Sequence, residues 1–285
     1  MEPLSTSSYI SALRQGVEAQ KSLGICTLGF IPMRATASEC AEMVSQLIFG
    51  DAYEVLAEEE RWLQIRTLYD NYEGWIDRKL HVPFLADWQR VYLSEPLTDA
   101  EYRVVTIAKP YVCAHDVQTG HSLFLTAGAH VALGSDGQTL FCPNRHFVLL
   151  EPIDTSCPPL ESVRSIAPLF LGTPYLWGGR TFFGIDCSGF SQQVYSTMGL
   201  ILPRDASKQA LLGTEVVFGS QRDGDLAFFV NANGRVCHVA ICLGSNMVIH
   251  ASGCVREDGL TADGIYNKER NQITHKLCSI RRIVL

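Results

Sequence analysis

The chain has 285 residues, 47% of them hydrophobic, with 23 Lys and Arg against 30 Asp and Glu for a formal net charge of −7 at pH 7. That composition is globular and mildly acidic, which excludes a disordered chain and argues against an electrostatic nucleic-acid surface or strong attachment to an anionic envelope polymer. The length allows two or three compact domains.

In chain order, residues 1–22 form a polar, Ser-rich segment with a short helical pattern from Met1 to Gln15. No basic stretch leads into an apolar run, and no segment approaches the apolar length of a membrane span. The ten cysteines lack a repeated spacing and suit a reducing compartment better than a disulfide framework. The expected location is cytoplasmic, with periplasmic or secreted left open should a leader have been removed. A monomer is expected, with no membrane or nucleic-acid partner.

Residues 23–88 read as short strands: Val55-Leu56, Trp62 to Thr67 and Gly74 to Asp77 alternate apolar and polar residues between acidic or Asn/Gly turns. Residues 89–155 repeat the pattern at Tyr102 to Ile107, Ser122 to Leu125, His130 to Leu133 and His146 to Leu150. Two small β-barrels in tandem fit, with Pro-bearing boundaries near Asp87 to Leu97 and Glu151 to Pro159.

Residues 156–285 carry the chemistry. Gly184-Ile185-Asp186-Cys187-Ser188-Gly189-Phe190 leads into a helical pattern, with Phe190, Val194, Tyr195 and Met198 at spacings of three and four and Gly199 as the stop. Cys187 falls in the first turn, where the macrodipole favours thiolate over thiol. Downstream, Val236 to Cys242 and Asn246 to His250 read as a hairpin around Leu243-Gly244-Ser245, which pairs position 238 directly with 250. One imidazole can then serve Cys187 as base while the other orients it. Taken alone, the two histidines are as readily half-buried sheet residues, and Cys187 a small buried hydrophobe. Zinc is disfavoured: among Cys237, His238, His250 and Cys254, the first two are adjacent on a strand and point to opposite faces. Tyr175 and Trp177 also read as core aromatics, and Asp205 as the N-cap of the helix containing Gln209.

Thr173-Pro174-Tyr175-Leu176-Trp177-Gly178-Gly179, Asp186-Cys187-Ser188-Gly189-Phe190, Leu202-Pro203-Arg204-Asp205, Gln209, Asp223-Gly224-Asp225-Leu226, His238-Val239-Ala240-Ile241 and Ile249-His250-Ala251 together resemble the NlpC-type, papain-fold cysteine peptidases that cut bacterial cell-wall peptides. Ile31-Pro32-Met33-Arg34, Ala41 to Leu47, Gly50-Asp51 and Glu73-Gly74-Trp75-Ile76 resemble the bacterial SH3-like domains that precede the peptidase in γ-D-glutamyl-L-diamino acid endopeptidases. The implied fold class is α+β, a papain-like C-terminal catalytic domain preceded by two small SH3-like β-barrels.

The resemblance implies Cys187 as nucleophile, His238 as general base, His250 as the third polar residue, and Tyr175 as a donor to the oxyanion. Asp186 and Ser188 are expected to contact a small muropeptide substrate. In the subfamily the first barrel lies against the cleft and binds the free N-terminal amine of that peptide, which blocks glycan-attached substrates. Asp205 is the matching carboxylate, and Glu42 with Tyr72 or Trp75 are the candidates from the first barrel; Ala206 stands where a small hydroxyl residue often follows. Neither cofactor nor metal is implied. The expected function is hydrolysis of the γ-D-glutamyl-diamino acid bond in recycled murein peptides. The alternatives are an envelope hydrolase acting on intact stem peptides and a non-catalytic binding module.

Overall fold

The structure, a computed structural model, describes residues 4–93, 101–143, 145–151, 153, 163–244 and 246–283. Its contacts divide into two units, Ser5–Ser156 and Met1–Leu4 with Cys157–Leu285.

After a two-residue strand, Leu4–Ser5 (β1), the first unit opens with helix α1, Thr6–Glu18. The first barrel follows as β2 (Leu23–Ile25), β3 (Phe30–Arg34), β4 (Met43–Ile48), β5 (Ala52–Glu58), β6 (Trp62–Thr67) and β7 (Glu73–Asp77), hydrogen-bonded in the order β2-β5-β6-β7-β3-β4. Alternation fills it: Ile31 and Met33, Leu63 and Ile65, and Ile76 point inward with Leu47 and Tyr53. Trp75 has the opposite parity to Ile76, so its ring is half-buried on the outer face.

The expected boundary at residue 88 is not a linker at its start. Ala86–Tyr92 forms helix α2, with Trp88, Val91 and Tyr92 buried; the remainder, 94–97, lies outside the described residues, as does most of the boundary near 151–159. The second barrel is β8 (Tyr102–Thr106), β9 (Tyr111–Asp116), β10 (Ser122–Thr126), β11 (His130–Gly134), β12 (Thr139–Cys142) and β13 (Arg145–Leu149), ordered β10-β9-β13-β12-β11-β8. His130 joins the two barrels. Its carbonyl accepts from the Tyr92 hydroxyl at 2.8 Å, its ring stacks on Tyr9 of α1, and a Cβ on Gly50, at φ +84°, would lie 1.8 Å from its carbonyl oxygen. Only glycine fits at position 50.

The second unit begins with helix α3 (Val163–Ile166) and a 3-10 turn, followed by the short pair β14 (Arg180–Thr181) and β15 (Gly184–Ile185). Helix α4 covers Cys187–Thr197, then come β16 (Leu200–Ile201), helix α5 (Ala206–Gln209) and β17 (Thr214–Glu215). The sheet is completed by β18 (Leu226–Val230), β19 (Val236–Cys242), β20 (Met247–Ser252), β21 (Cys254–Leu260), β22 (Gly264–Asn267) and β23 (Gln272–Arg282), in the order β17-β23-β18-β19-β20-β21-β22 with β22 also paired to β23. One face buries Ala227, Phe229, Ala240, Cys242, Val248, Leu260, Ile265 and Ile280. By parity His238 and His250 share that face, beyond the end of its apolar run.

Helix α4 ends as the periodicity predicts, with Gly199 at φ +82° just past the C-cap Met198. It is not a one-sided amphipathic helix. Every residue from Cys187 to Tyr195 is buried, including Ser191, Gln192 and Gln193. Each of these polar side chains donates internally: Ser191 to Gln209, Gln192 to the Leu202 carbonyl and Gln193 to the Arg180 carbonyl. The helix therefore binds the loops around the site by hydrogen bonds as well as by packing.

Candidate active site

Cys187 is the first residue of α4, 6% exposed, and Asp186 is its N-cap. The Asp186 carboxylate is the most heavily bonded group of the site. One oxygen accepts from the Gly189 N–H at 2.7 Å, the Ser188 hydroxyl at 3.2 Å and Arg204 Nη1 at 3.0 Å; the other accepts from the Gly178 N–H at 2.9 Å and Arg204 Nη2 at 2.5 Å. Arg204 also donates to the Ser188 hydroxyl at 2.9 Å. Asp186 and Ser188 are thus turned inward, bracing the nucleophile turn where substrate contact was expected of them. The first turn also presses on the Trp177-Gly178-Gly179 segment. A Cβ on Gly189 would lie 2.2 Å from the Gly179 carbonyl oxygen. Gln209, fully buried, ties the Ser188 carbonyl to that of Pro203.

The two histidines meet as expected, by a different register. The observed pairs are Ile241↔Ile249 and Cys242↔Val248, and Leu243 N–H donates to the Met247 carbonyl. The connection spans positions 244–246, of which Ser245 lies outside the described residues. His250 therefore stands opposite position 240, two residues from His238. A shift of two preserves the face, and diagonal side chains on one face still meet. His238 Nε2 and His250 Nδ1 are 2.8 Å apart. His250 Nε2 in turn lies 3.1 Å from Asp258 Oδ2 on β21, and Arg256 clamps both oxygens of Asp258 at 2.9 and 3.3 Å while pairing with Glu269.

The N–H groups of Val239, the residue after His238, and of Ser188 both stabilise charge on the Cys187 sulfur, which places the thiol beside β19. With Nε2 engaged by His250, Nδ1 is the His238 nitrogen left for that thiol. Burial works against the thiolate expected at this helix end. Burial, reinforced by Asp186, pushes the Cys187 thiol up to about 12, and the two N–H groups and Arg204 do not offset it. Burial, with His250 and His275 as neighbouring bases, likewise holds His238 well below the ordinary histidine value. A dry site disfavours separated charge, so burial works against a preformed thiolate and imidazolium. Tyr175 is half-buried, and burial together with Cys187 keeps its hydroxyl protonated, as an oxyanion donor requires. Of the first N–H groups of α4, that of Gly189 is taken by Asp186, which leaves those of Cys187 and Ser188 as the candidates for the other donors. Trp177, by contrast, is 59% exposed and is no core residue.

Asp205 occupies the N-cap position of α5 without a side-chain cap bond; its carboxylate is partly exposed and 3.5 Å from Lys208. Glu42, Tyr72 and Trp75 belong to the other unit. Glu42 is exposed and its carbonyl accepts from Ala35; Trp75 pairs with Arg34; Tyr72 packs on the barrel core.

Three residues escaped the sequence reading. Arg204 stands in the run Leu202-Pro203-Arg204-Asp205, which by itself assigns it no role. Asp258 follows the turn at Gly253, and a charged residue on a buried strand beside His250 was the available signal. His275, on β23, stacks on His238 at 4.3 Å and 26° between planes, and burial, then His250, lowers it to about 4. Nitrogens of His238, His250 and His275 lie within 4.8 Å of one another. Imidazole lone pairs lie in the ring plane, so the stacked His238 and His275 cannot both point at one ion about 2.0–2.1 Å away. As arranged, the cluster does not fit a single metal. Cys237 is exposed and His238 buried, on opposite faces as strand alternation requires.

Residues 172–279 match the NlpC/P60 family, and residues 33–79 match the bacterial dipeptidyl-peptidase SH3 domain. The γ-D-glutamyl-L-lysine dipeptidyl-peptidase of Bacillus subtilis is 35% identical over 135 residues, 46% of this chain and 43% of that protein. The protein of the same name from Bacillus cereus is 37% identical over 100 residues, 34% of this chain and 30% of its own length. The chain thus spans less than half the length of these two relatives. Dipeptidyl-peptidase 6 of Lysinibacillus sphaericus is 29% identical over 231 residues, 74% of this chain and 81% of that one. The crystal structure of an NlpC/P60 family protein from Bacillus cereus shares the fold, with a TM-score of 0.76 at 18% identity over 92% of this chain and 99% of that one.

Proposed function

From an NlpC/P60 domain preceded by a bacterial dipeptidyl-peptidase SH3 domain, we propose a cysteine endopeptidase that cleaves the bond between γ-D-glutamate and a diamino acid in small cell-wall-derived peptides beginning with free L-alanine. The observation that carries this reading is the buried set of Cys187 at a helix N-terminus with His238 and His250 hydrogen-bonded at 2.8 Å. The Cys187 proton passes to His238 Nδ1 as sulfur attacks the γ-carbonyl carbon. Tyr175 and the first N–H groups of α4 receive the oxyanion. His238 then protonates the departing amine of the diamino acid, and water, deprotonated by the same imidazole, releases the peptide acid and regenerates the thiol.

In this reading Asp205 binds the peptide's ammonium group, with Glu42 and Tyr72 or Trp75 contributed by the first barrel, because an ammonium in a partly closed pocket calls for carboxylates and an aromatic face. The recycling part of this reading rests on the ten cysteines, whose spacing suits a reducing compartment better than a disulfide framework.

The test is product detection by mass spectrometry with free L-Ala-γ-D-Glu-meso-diaminopimelate, its L-lysine counterpart, and the same stems attached to the muramyl sugar, each with wild type and Cys187→Ala. Cleavage of a free tripeptide by wild type alone supports the reading, and the preferred tripeptide identifies the diamino acid. Equal cleavage of the sugar-linked stems removes the amine gate and favours a wall hydrolase. No Cys187-dependent cleavage of any of them overturns the reading.

A further inference from the structure

We propose that Asp258 is a positioning residue of the active site, acting through His250 to fix the tautomers of both imidazoles so that His238 presents a bare Nδ1 to Cys187. The inference rests on the reading of Cys187 and His238 as nucleophile and base, and goes beyond it by adding a fourth member to the chain.

The argument is one of donors and acceptors. An ionised carboxylate has no proton to give, so the His250 nitrogen facing it, Nε2 at 3.1 Å, carries the hydrogen. A neutral His250 protonated at Nε2 has its lone pair on Nδ1, which then accepts the Nε2–H of His238 across 2.8 Å. His238 is left with its lone pair on Nδ1, the position a base needs. One carboxylate therefore sets two tautomers in series. Without it the chain can run the other way, with His250 donating from Nδ1 and His238 holding a hydrogen on the nitrogen that should take the thiol's proton.

The surroundings keep Asp258 in the required state. Burial alone would raise its carboxyl, but the bonds from His250 and Arg256 outweigh this and hold it below the ordinary aspartate value. It is 3% exposed, and every polar group around it donates: His250 Nε2, Arg256 Nε and Nη2, and Asn267 Nδ2 at 3.4 Å. Arg256 is shared with Glu269, so the charges alternate outward from the site. The groups facing His250 are His238 on β19, Arg256 and Asp258 on β21, Asn267 on β22 and His275 on β23, whose ring centroid is 5.6 Å away. Asp258 is the anion among these side chains, and it also offsets the positive charge that forms on His238 when the thiol loses its proton.

The test uses the full chain carrying Asp258→Asn, with Asp258→Glu as the conservative variant. Nitrogen-15 spectra of the resting proteins near pH 7.5 read the tautomers directly. Wild type should show both His238 and His250 protonated at Nε2, and Asp258→Asn a mixed or inverted population. Against the cleaved tripeptide, Asp258→Asn should lose on the order of 10²–10³-fold in kcat, with KM within about twofold. The acidic limb of its kcat/KM profile should move to lower pH, since a lost anion makes the imidazole pair less basic, and Asp258→Glu should recover part of kcat. Unchanged tautomers with an unmoved acidic limb would overturn the proposal, whatever happens to stability, because a purely structural role moves neither. Should wild type cleave nothing in a Cys187-dependent way, the functional reading fails, while the nitrogen-15 spectra still decide the role of Asp258.

Discussion

Replacing Arg204 by Met tests whether the buried pair beneath the nucleophile holds the site together. The Arg204 side chain is 2% exposed and that of Asp186 8%, and the substitution removes both charged bonds to Asp186 and the one to Ser188. What remains is a buried carboxylate with three neutral donors, the N–H groups of Gly178 and Gly189 and the Ser188 hydroxyl. Removing one partner of a buried ion pair costs about 3–5 kcal/mol, and the surviving donors place this case near the lower end. Adding Asp186→Asn takes away the stranded charge while keeping an N-cap side chain, so the double variant should recover most of the loss, with a coupling of about 2 kcal/mol. Urea unfolding of the full chain, followed by pulsed alkylation of Cys187 read by peptide mass, assigns the loss to the catalytic unit and not to the barrels. A single-variant loss below about 1 kcal/mol, or additive single effects, refutes the reasoning.

Three further outcomes follow from the site. With the Cys187 thiol pushed up to about 12, alkylation in the native protein should keep rising about tenfold per pH unit through pH 9, and a plateau near neutral pH would show a preformed thiolate. His275 lies near 4 in the fold against about 6.5 unfolded, so below 6.5 the unfolded chain binds the extra proton and stability falls as pH drops toward 4; His275→Phe should flatten that slope in urea midpoints measured from pH 7 to 4.5. Gly189→Ala drives a methyl to 2.2 Å from the Gly179 carbonyl oxygen and should cost about 3 kcal/mol or more, whereas Gly199→Ala meets no atom within 4 Å and should cost only about 1 kcal/mol from its positive φ; similar thermal shifts for the two would contradict this.

What the sequence made legible was mostly local. The strand alternation at Trp62 to Thr67, the helix between Asp186 and Gly199, and the shared face of His238 and His250 all follow from periods of 2 and 3.6 read over a few residues. The hairpin register slipped by two without consequence for the face, because side-chain direction depends on parity and not on the particular partner. The boundary read near Asp87 to Leu97 overlaps the helix Ala86–Tyr92, because the proline in that stretch masks a segment whose Trp88 and Tyr92 are buried by tertiary packing. Charge state was the least legible property. The macrodipole that favours a Cys187 thiolate is visible in sequence, but the burial that overrides it depends on what covers the helix end. Asp258 was hidden for a related reason, since a charged residue in Cys254–Leu260 reads as solvated until the fold encloses it.

The desolvated site and the Asp258 chain are two sides of one arrangement. Burial raises the Cys187 thiol and lowers His238, which disfavours a free thiolate before substrate arrives. The same low dielectric makes it costly to create a thiolate and an imidazolium in advance, so proton transfer has to accompany attack on a carbonyl already placed against the oxyanion donors. At that moment the positive charge forms on His238, and the path from it runs through His250 to a carboxylate that is itself clamped by Arg256. An anion two bonds removed stabilises the developing charge without meeting the thiol directly, where it would raise the sulfur's pKa as Asp186 does. Moving the carboxylate closer, by His250→Asp, would therefore trade the relay for a direct His238 partner. Charge–charge energy falls with distance, so the resting His238 should become more basic, and the acidic limb of the kcat/KM profile should shift upward relative to wild type. A limb that stays in place would mean that the identity of the third residue, rather than its distance from the anion, governs the base.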